Sequence, residues 1–245
     1  MLENFGNLGN EKEKIKKLID QFCVEVGGFP SEDDRDSLSV IFADFLTGFN
    51  MMADKAPVVT VFGSSRIAPE QADYKTGEEL GAGLARLGFS VLTGGGPGLM
   101  EAVNKGASVA NGRSMGINIE IPDEQRQNTY TSPSITINHF FVRKVLLVKY
   151  STAFIFLPGG FGTLDEFFET VTLIQTGKIP PFPVILIKNS YWRGLMEWVD
   201  ENLVKNDLIS TGDTNYLYFC DTVQEAVDVI KSCVSSGRIS LVRKK

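Results

Sequence analysis

Short apolar runs alternate with amphipathic segments through most of the chain, from residue 58 to residue 234. Seven of the runs have the length and composition of buried strands, and the segments after them have apolar residues at helical spacing. We predict strands at 58–64, 89–94, 114–119, 134–139, 152–157, 183–188 and 216–220. We predict helices at 71–87, 99–110, 142–150, 164–175, 191–205 and 223–234. This alternation is typical of βαβ units, so the sequence predicts an α/β fold with a Rossmann-like open parallel sheet flanked by helices.

The two ends of the chain have different patterns. Residues 11–54 carry two helical patterns, and the second begins with acidic residues after Ser31, as the N-termini of helices often do. The last residues, 236–245, are polar and basic. We therefore predict an N-terminal helical extension at 1–55, a Rossmann-like domain at 56–235 and a flexible tail at 236–245.

Composition narrows the classes of function. The chain has 245 residues and a formal net charge of −6, so a groove for a polyanion is not expected and we predict no nucleic-acid partner. The three cysteines show no paired spacing, and His139 is the single histidine, so a zinc site is not expected. The N-terminus has no apolar export segment, and no run approaches the roughly 20 apolar residues of a membrane span. We predict a cytoplasmic protein without a metal and without a membrane partner.

Two glycine-rich turns stand between a predicted strand and a predicted helix. One is TGGGPGLMEA at 93–102, and the other is PGGFGTLDE at 158–166. In a parallel sheet both turns open at the carboxyl edge, so they predict one shared site in which backbone amides and a helix N-terminus face an anion. Neither turn has the glycine spacing of the dinucleotide fingerprint, and neither has the lysine of a P-loop. The sequence thus favours a mononucleotide or a sugar phosphate as ligand.

Charged residues near these turns suggest chemistry as well as binding. Asp165 and Glu166 follow the second turn directly, and we place both in the first turn of the helix. Asp165 suits the helix dipole there, whereas a carboxylate beside a bound phosphate suggests another task for Glu166. Arg143 enters a helix that is otherwise apolar, so we expect it to have an anionic partner. His139 ends a predicted strand, and we expect a structural role for it.

The two turns together resemble the LOG family, the cytokinin riboside 5′-monophosphate phosphoribohydrolases, long described as possible lysine decarboxylases. The resemblance covers roughly residues 57–235 and rests on GGGPGLMEAVNKGA and on the signature PGGxGTxxE, which is complete at 158–166. A basic pair upstream of the signature, Arg143 and Lys144, also matches, although the family's common His-x-Arg-Lys reads Phe-Val-Arg-Lys here. The resemblance implies that 56–235 is a nucleotide-binding catalytic domain.

The resemblance also implies a reaction. A nucleoside 5′-monophosphate, either AMP or a cytokinin riboside monophosphate, would be hydrolysed at its N-glycosidic bond to free base and ribose 5-phosphate. Cleavage of this bond builds positive charge on the ribose, so a carboxylate is needed near C1′. We assign Glu166 to this catalytic task, in which it orients or deprotonates the attacking water. Arg143 is the second catalytic residue, and we expect it to pair with Glu166 or a ribose hydroxyl and to keep the carboxylate ionised.

The predicted substrate-binding residues come from four parts of the chain. The signature turn is expected to hold the 5′-phosphate, and the first glycine turn is expected to form the opposite wall of the site. The resemblance adds the second member of the basic pair, a glutamate in the loop after the third strand and a threonine farther along the signature helix. The whole set is Gly159, Gly160, Gly162, Thr163, Lys144, Glu124, Thr172, Gly95, Gly96, Gly98 and Glu101. No cofactor is expected, and the resemblance implies a homodimer.

Other functions fit the residues less well. A lysine decarboxylase would need pyridoxal phosphate on a Schiff-base lysine, and no such setting is visible. A non-catalytic carrier of a nucleotide or of molybdenum cofactor could keep both glycine turns, but it would have no chemical need for Glu166 together with Arg143. A DNA-processing protein of similar topology would require a basic surface, which the net charge of −6 does not favour.

Overall fold

The computed structural model describes residues 8–25, 31–53, 57–121 and 127–241. Within these ranges the strands are β1 Val58–Phe62, β2 Ser90–Thr93, β3 Ser114–Ile119, β4 Ser134–Ile137, β5 Ser151–Phe156, β6 Val184–Ile187 and β7 Leu217–Cys220. The α-helices are α1 Leu8–Glu25, α2 Glu32–Met51, α3 Ala72–Arg86, α4 Leu99–Val109, α5 Phe140–Lys149, α6 Phe161–Gln175, α7 Asn189–Val199 and α8 Val223–Ser235. The predicted α/β fold, a Rossmann-like parallel sheet with flanking helices, is confirmed.

Two helix boundaries differ from prediction in an informative way. The predicted helix at 191–205 is α-helical only to Val199 and continues as a π-helical turn, Asp200–Val204. The signature helix α6 begins at Phe161, three residues before the predicted start at Leu164. Its early start follows from Gly160, which has extended backbone angles and acts as the N-cap of the helix.

The sheet has one reversal of strand order. The strand pairs are parallel, and their order across the sheet is β4-β3-β2-β1-β5-β6-β7. The chain therefore builds outward from β1 in one direction with β2, β3 and β4, and then returns to place β5 on the other side of β1. Thr60 of β1 lies opposite Phe154 of β5 at this junction. In open parallel sheets such a reversal leaves a crevice at the carboxyl ends of the two central strands, where ligands bind.

Alternate residues of the central strands enter two apolar layers, one on each face of the sheet. In β5, Phe154 and Phe156 pack on the face that includes Trp192, whereas Ala153 and Ile155 pack on the opposite face. Because helices cover both faces, every position of these strands is apolar or satisfied internally. This explains why the strands appear in the sequence as continuous apolar runs rather than as alternating ones.

The N-terminal helices are joined to this body through α2. The side chain of Ser31 accepts a hydrogen bond from the amide of Asp34 at 3.1 Å, so α2 begins where its acidic first turn predicts. α2 crosses α5 at short range, because a Cβ at Gly48 would collide with the side chain of Leu146. α1 packs against α2 through a small apolar cluster of Ile15, Ile19 and Ala43.

Part of the predicted tail is packed against the body. Ile239 is 2% exposed, and its amide donates to the carbonyl of Cys233 at 3.0 Å. Arg238 donates to the hydroxyl of Tyr218. Residues 242–245 lie outside the described ranges, and for them the flexible tail stays a prediction. Among the helices of the described ranges, none is long and apolar enough to cross a membrane.

Candidate active site

A cavity of about 600 Å³ lies at the turns that follow β1 and β5, at the reversal of strand order. Its walls come from these two turns, from the end of β2 and from α5 and α6. The lining residues are Phe62, Gly63, Ser64, Ser65, Arg66, Gly94, Met100, Phe140, Arg143, Leu147, Gly160, Phe161, Gly162, Thr163, Leu164, Asp165 and Glu166. The fold thus brings both predicted catalytic residues into one cavity with the signature turn.

The N-terminus of α6 faces this cavity with open backbone groups. The amides of Thr163 and Leu164 both donate to the carbonyl of Gly160, at 3.0 and 3.1 Å. Within the described part of the chain, the amides of Phe161 and Gly162 have no acceptor. A Cβ at Gly160 or Gly162 would meet no atom within 4 Å, so both glycines border open space. Free amides at a helix N-terminus favour an anion such as a phosphate.

Gly159 has a different role from its two neighbours. A Cβ at this position would collide with the side chain of Thr163, so only glycine allows the turn to close over that threonine. The carbonyl of Gly159 accepts the hydroxyl of Tyr191 from the start of α7. Gly159 therefore shapes the signature turn but is not among the residues that line the cavity.

The two acids of the signature lie farther into the helix than predicted. Because α6 starts at Phe161, its first turn contains no acidic residue, and Asp165 and Glu166 stand in the second turn. The prediction that both occupy the first turn is wrong. The glycines at 160 and 162 suggest a longer turn in the sequence, whereas the backbone is already helical at Phe161.

Glu166 is a buried carboxylic acid at the cavity wall. Its side chain is largely enclosed, with 8% of the residue exposed, and Oε2 has no hydrogen-bond partner within the described residues. Burial raises the pKa of Glu166 to about 7, and the neighbouring carboxylate of Glu169 adds to this effect, while the charge of Arg143 opposes it. Arg143 thus favours the ionised form of Glu166, as expected, and burial acts against it.

Arg143 is held by backbone carbonyls instead of by a carboxylate. Its Nε donates to the carbonyl of Ile117 at 2.9 Å, and its Nη2 donates to the carbonyl of Gly94 at 3.1 Å. Among the described residues no acid lies within 4 Å of its guanidinium. Burial lowers the pKa of Arg143, and the charge of Glu166 raises it in return. The two catalytic candidates thus interact through space without a direct ion pair.

Only part of the first glycine turn lines the cavity, through Gly94 and Met100. The amide of Gly95 donates to the hydroxyl of Thr93 at 2.9 Å. The amide of Leu99, the first residue of α4, donates to the carbonyl of Ser64 at 2.8 Å, so this helix N-terminus binds the β1 turn instead of an open ligand site. Of the predicted wall residues, the structure does not bring the following into the cavity lining: Gly95, Gly96, Gly98 and Glu101.

Two other predicted residues, Lys144 and Thr172, are not among the residues that line the cavity. Lys144 makes ion pairs with Asp165 at 3.0 Å and with Glu169 at 2.8 Å, both on α6. Thr172 is exposed and lines a second, smaller cavity of about 130 Å³ between α6 and the segment after α7. Glu124 lies outside the described residues.

The turn after β1 also borders the cavity, although none of its residues is among the predicted site residues. This turn, which lies next to the signature turn, lines the cavity with Gly63, Ser64, Ser65 and Arg66. Arg66 is exposed, and no acid of the described ranges forms an ion pair with it. The sequence contains one feature that indicates this turn, the polar run GSSR directly after a central apolar strand. That position lies at the same sheet edge as the two glycine turns.

The cavity contains neither a lysine nor a metal-ligating cluster. None of its lining residues is a lysine. Within the described ranges, no group of three or more histidine, cysteine, aspartate and glutamate side chains is arranged to hold a metal ion. The ionisable side chains that line the cavity are two carboxylic acids, Asp165 and Glu166, and two arginines, Arg66 and Arg143; hydroxyl groups and backbone amides complete the wall.

Similar proteins are found among enzymes and carriers. A family model described as possible lysine decarboxylase matches residues 100–230. The cytokinin riboside 5′-monophosphate phosphoribohydrolase of Rhodococcoides fascians is 27% identical over 194 residues, which cover 72% of this chain and 96% of that protein. The cytokinin riboside 5′-monophosphate phosphoribohydrolase LOG1 of Arabidopsis thaliana is 31% identical over 179 residues, which cover 70% of this chain and 81% of that protein.

Solved structures with this fold include two molybdenum-cofactor proteins. The carrier protein from Chlamydomonas reinhardtii has a TM-score of 0.56 at 20% identity, over 74% of this chain and 99% of its own. The binding protein from Rippkaea orientalis has a TM-score of 0.54 at 24% identity, over 74% of this chain and 98% of its own. At these identities the likeness shows the fold alone. The family model spans more than half of the chain and the Arabidopsis relative is 31% identical over 81% of its own length, so this chain belongs to the LOG family, whose family model is described as possible lysine decarboxylase.

Proposed function

We propose that this chain is a nucleoside 5′-monophosphate phosphoribohydrolase that hydrolyses the N-glycosidic bond of AMP or of a cytokinin riboside monophosphate. The observation that carries the proposal is the position of Glu166. Its buried carboxyl group, with Oε2 unpaired among the described residues, lies in the same cavity as the open N-terminus of α6. A purine base is expected, with adenine favoured. Membership of a family with phosphoribohydrolases at 27 to 31% identity supports this reaction class.

The free amides at the start of α6 would bind the 5′-phosphate. Phe161 and Gly162 offer two N–H groups, and the hydroxyl of Thr163 lies on the same cavity wall. The dipole of a helix favours negative charge at this end. A phosphate held there fixes the ribose near the second turn of α6, which carries Glu166. When the ribose is held in a fixed position relative to the catalytic carboxylate, the barrier to the reaction is lower.

Glu166 would then act on the water that attacks C1′. The oxygen of the water bonds to C1′ as the bond from C1′ to the base nitrogen breaks, and Glu166 accepts one proton of the water. The departing base takes up a proton from solvent, and Glu166 then releases its proton to solvent. The products are the free base and ribose 5-phosphate. A general base is most effective when its pKa lies near the working pH, and burial raises the pKa of Glu166 to about 7. Its carboxylate form also stabilises positive charge on the ribose.

Arg143 would supply a positive charge that favours the ionised form of Glu166. Its guanidinium is held in the cavity wall by the carbonyls of Ile117 and Gly94, which restricts its orientation. Its charge counteracts the effect of burial on the pKa of Glu166, so it increases the fraction of Glu166 that is ionised at neutral pH. In the bound complex it would also meet a ribose hydroxyl.

Pyridoxal phosphate, which the description of the family model suggests, does not fit this cavity. A pyridoxal enzyme holds its cofactor as a Schiff base with a lysine. None of the lining residues is a lysine, and the nearest candidate on α5, Lys144, is engaged by Asp165 and Glu169. No step of the proposed reaction involves this cofactor.

The decisive experiment is the release of free base from a panel of nucleoside 5′-monophosphates. AMP, GMP, CMP, UMP and isopentenyladenosine monophosphate are incubated with the wild-type protein, with Glu166→Gln and with Glu197→Gln. The last variant makes the same chemical change at an exposed site on α7 and serves as the matched control. We expect release by the wild type and by Glu197→Gln, and a loss of about 100-fold or more for Glu166→Gln.

Two other outcomes of the base-release experiment would contradict the proposal. Equal rates for Glu166→Gln and wild type would rule out the assigned role of Glu166. No release from any nucleotide, with AMP still bound, would favour the alternative function, a non-catalytic carrier of a nucleotide or of molybdenum cofactor. The homodimer and the cytoplasmic location stay predictions of the family resemblance and of the composition.

A further inference from the structure

Asp44 is a buried carboxylate outside the cavity. It belongs to α2 of the N-terminal extension and is 5% exposed. Four nitrogen atoms at the junction of β4 and α5 surround its two oxygens. They are the amide and Nδ2 of Asn138, at 3.0 and 2.8 Å, and the amide and Nδ1 of His139, at 3.3 and 3.0 Å. A buried carboxylate with this many partners is held in one orientation.

This carboxylate binds the backbone directly before the first residue of α5. His139 is the N-cap residue of α5, and its own side chain makes no capping hydrogen bond. The amides of Asn138 and His139 donate to Asp44 of another helix instead. A negative charge next to the N-terminus of a helix is favoured by the helix dipole. The start of the helix is therefore fixed from α2, across 94 residues of sequence.

The residue that Asp44 binds, His139, is in turn hydrogen-bonded to Arg143. The amide of Arg143 donates to the carbonyl of His139 at 3.1 Å, so the first turn of α5 begins at a residue that Asp44 holds. Farther along both helices, Gly48 permits close contact with Leu146. The two contacts stand on either side of Arg143, and together they fix the part of α5 that carries it.

We propose that Asp44 is a positioning residue of the active site, which acts through His139 and the first turn of α5 to hold Arg143 in the cavity wall. In this placement of the helix the guanidinium of Arg143 reaches the carbonyls of Ile117 and Gly94. The N-terminal extension thereby takes part in function, although none of its residues lines the cavity within the described ranges. The kinetic test rests on the proposed phosphoribohydrolase function.

The first variant is Asp44→Asn, which keeps the volume of the side chain and removes its charge. Its matched control is Asp36→Asn on the same helix, where the carboxylate is exposed and pairs with Lys16 of α1 at 2.7 Å. We expect Asp44→Asn to lower kcat for AMP about 10-fold or more and to raise KM by a smaller factor, since a group that acts on the reaction and meets a ribose hydroxyl is displaced by a fraction of an ångström. Asp36→Asn should keep the wild-type kcat.

A double-mutant cycle with Arg143→Lys separates positioning from general loss of structure. If Asp44 acts through Arg143, Asp44→Asn should lower kcat less than about threefold when Arg143 is already replaced. An equal reduction in both backgrounds, or a wild-type kcat for Asp44→Asn, would overturn the proposal. If Asp44→Asn fails to fold, as judged by its thermal transition, Asn138→Ala takes its place in the cycle with the same criteria, because it removes one donor to the same carboxylate.

A second readout distinguishes failure of this proposal from failure of the proposed function. If the wild type releases no base, the reaction is wrong, and the same four proteins are compared by their affinity for AMP in titration calorimetry. Asp44→Asn should then weaken AMP binding in the wild-type background and not in the Arg143→Lys background. Unchanged affinity for Asp44→Asn, or no AMP binding by the wild type, would overturn the positioning role.

Discussion

The guanidinium of Arg143 occupies the space that a side chain at Gly94 would need. Nη2 of Arg143 donates to the carbonyl of Gly94 at 3.1 Å, and a Cβ at Gly94 would collide with Nη2 and lie 2.7 Å from Sδ of Met100. The glycine at the end of β2 is therefore tied to the orientation of a residue 49 positions later in the chain.

Gly94→Ala is expected to lower kcat about 10- to 100-fold, because the new methyl group displaces the guanidinium. The thermal transition should change little, since the displaced atoms are the ends of two flexible side chains. Steady-state base release and a melting curve test this expectation. Gly194→Ala on α7 is the control, because a Cβ there meets nothing within 4 Å. Wild-type kcat for Gly94→Ala would contradict the assigned role of Arg143.

The pH dependence of the reaction should follow Glu166. Burial raises the pKa of this group to about 7, and the proposed general base must be ionised. We therefore expect kcat/KM for AMP to rise as the pH increases from 5 to 7 and to level off above about pH 8. Initial rates in buffers of constant ionic strength measure this profile. A profile that is flat between pH 5 and pH 8 would show that another group limits the reaction.

Glu166 should also make the free energy of unfolding depend on pH, and this quantity should fall where the reaction rate rises. Below about pH 4.5 the carboxyl group is protonated in the folded and the unfolded chain, and between pH 4.5 and 7 the unfolded chain loses the proton first. The free energy of unfolding should thus fall as the pH rises through this window, by an amount on the order of 3 kcal/mol. Urea unfolding at pH 5 and pH 8 should show that Glu166→Gln removes this decline. Glu197→Gln, the exposed control, should keep it.

Arg66 is expected to contribute to binding rather than to the chemical step. It lines the cavity and makes no ion pair within the described ranges. Arg66→Ala should raise KM for AMP about 3- to 10-fold with little change in kcat, because one exposed charge-assisted contact to an anion is lost. Arg66→Lys should recover part of the affinity. A fall in kcat with unchanged KM would place Arg66 in the reaction itself.

The predicted homodimer has a candidate surface on α5 and α6. Phe140, Phe141 and Phe161 are 56%, 50% and 93% exposed, which is unusual for aromatic side chains so close together in one region. We expect sedimentation velocity at micromolar concentration to give the mass of two chains, and Phe141→Asp to shift the distribution towards one chain. A stable single chain at that concentration would contradict the dimer.

The sheet and the location of the cavity could be predicted because their signals are local. Apolar runs that end in a turn are visible within ten residues of sequence, and the carboxyl ends of parallel strands meet at one edge. The signature turn lines the same cavity as Arg143, and its helix starts three residues before the predicted position.

The use of individual backbone groups could not be predicted from the sequence. The first glycine turn resembles an anion site, yet the N-terminal amide of α4 is taken by the carbonyl of Ser64, which lies 35 residues earlier. The ionisation of Glu166 depends on how deeply α6 is buried, and that depth is set by contacts of the whole domain. Asp44 appears in the sequence as one of several acids on an amphipathic helix, and only the packing of α2 on α5 reveals its partners.

The placement of β5 beside β1 has a consequence for the newly made chain. The walls of the cavity come from two segments of the chain, one that ends with the β2 turn and α4 and one that starts with α5. During synthesis the first segment emerges with the turns at Ser64 and Gly94 but without the helix that presents Glu166. The proposed nucleotide ligand would therefore bind only after the sheet has closed across its centre. It would then stabilise the completed protein and none of its growing intermediates.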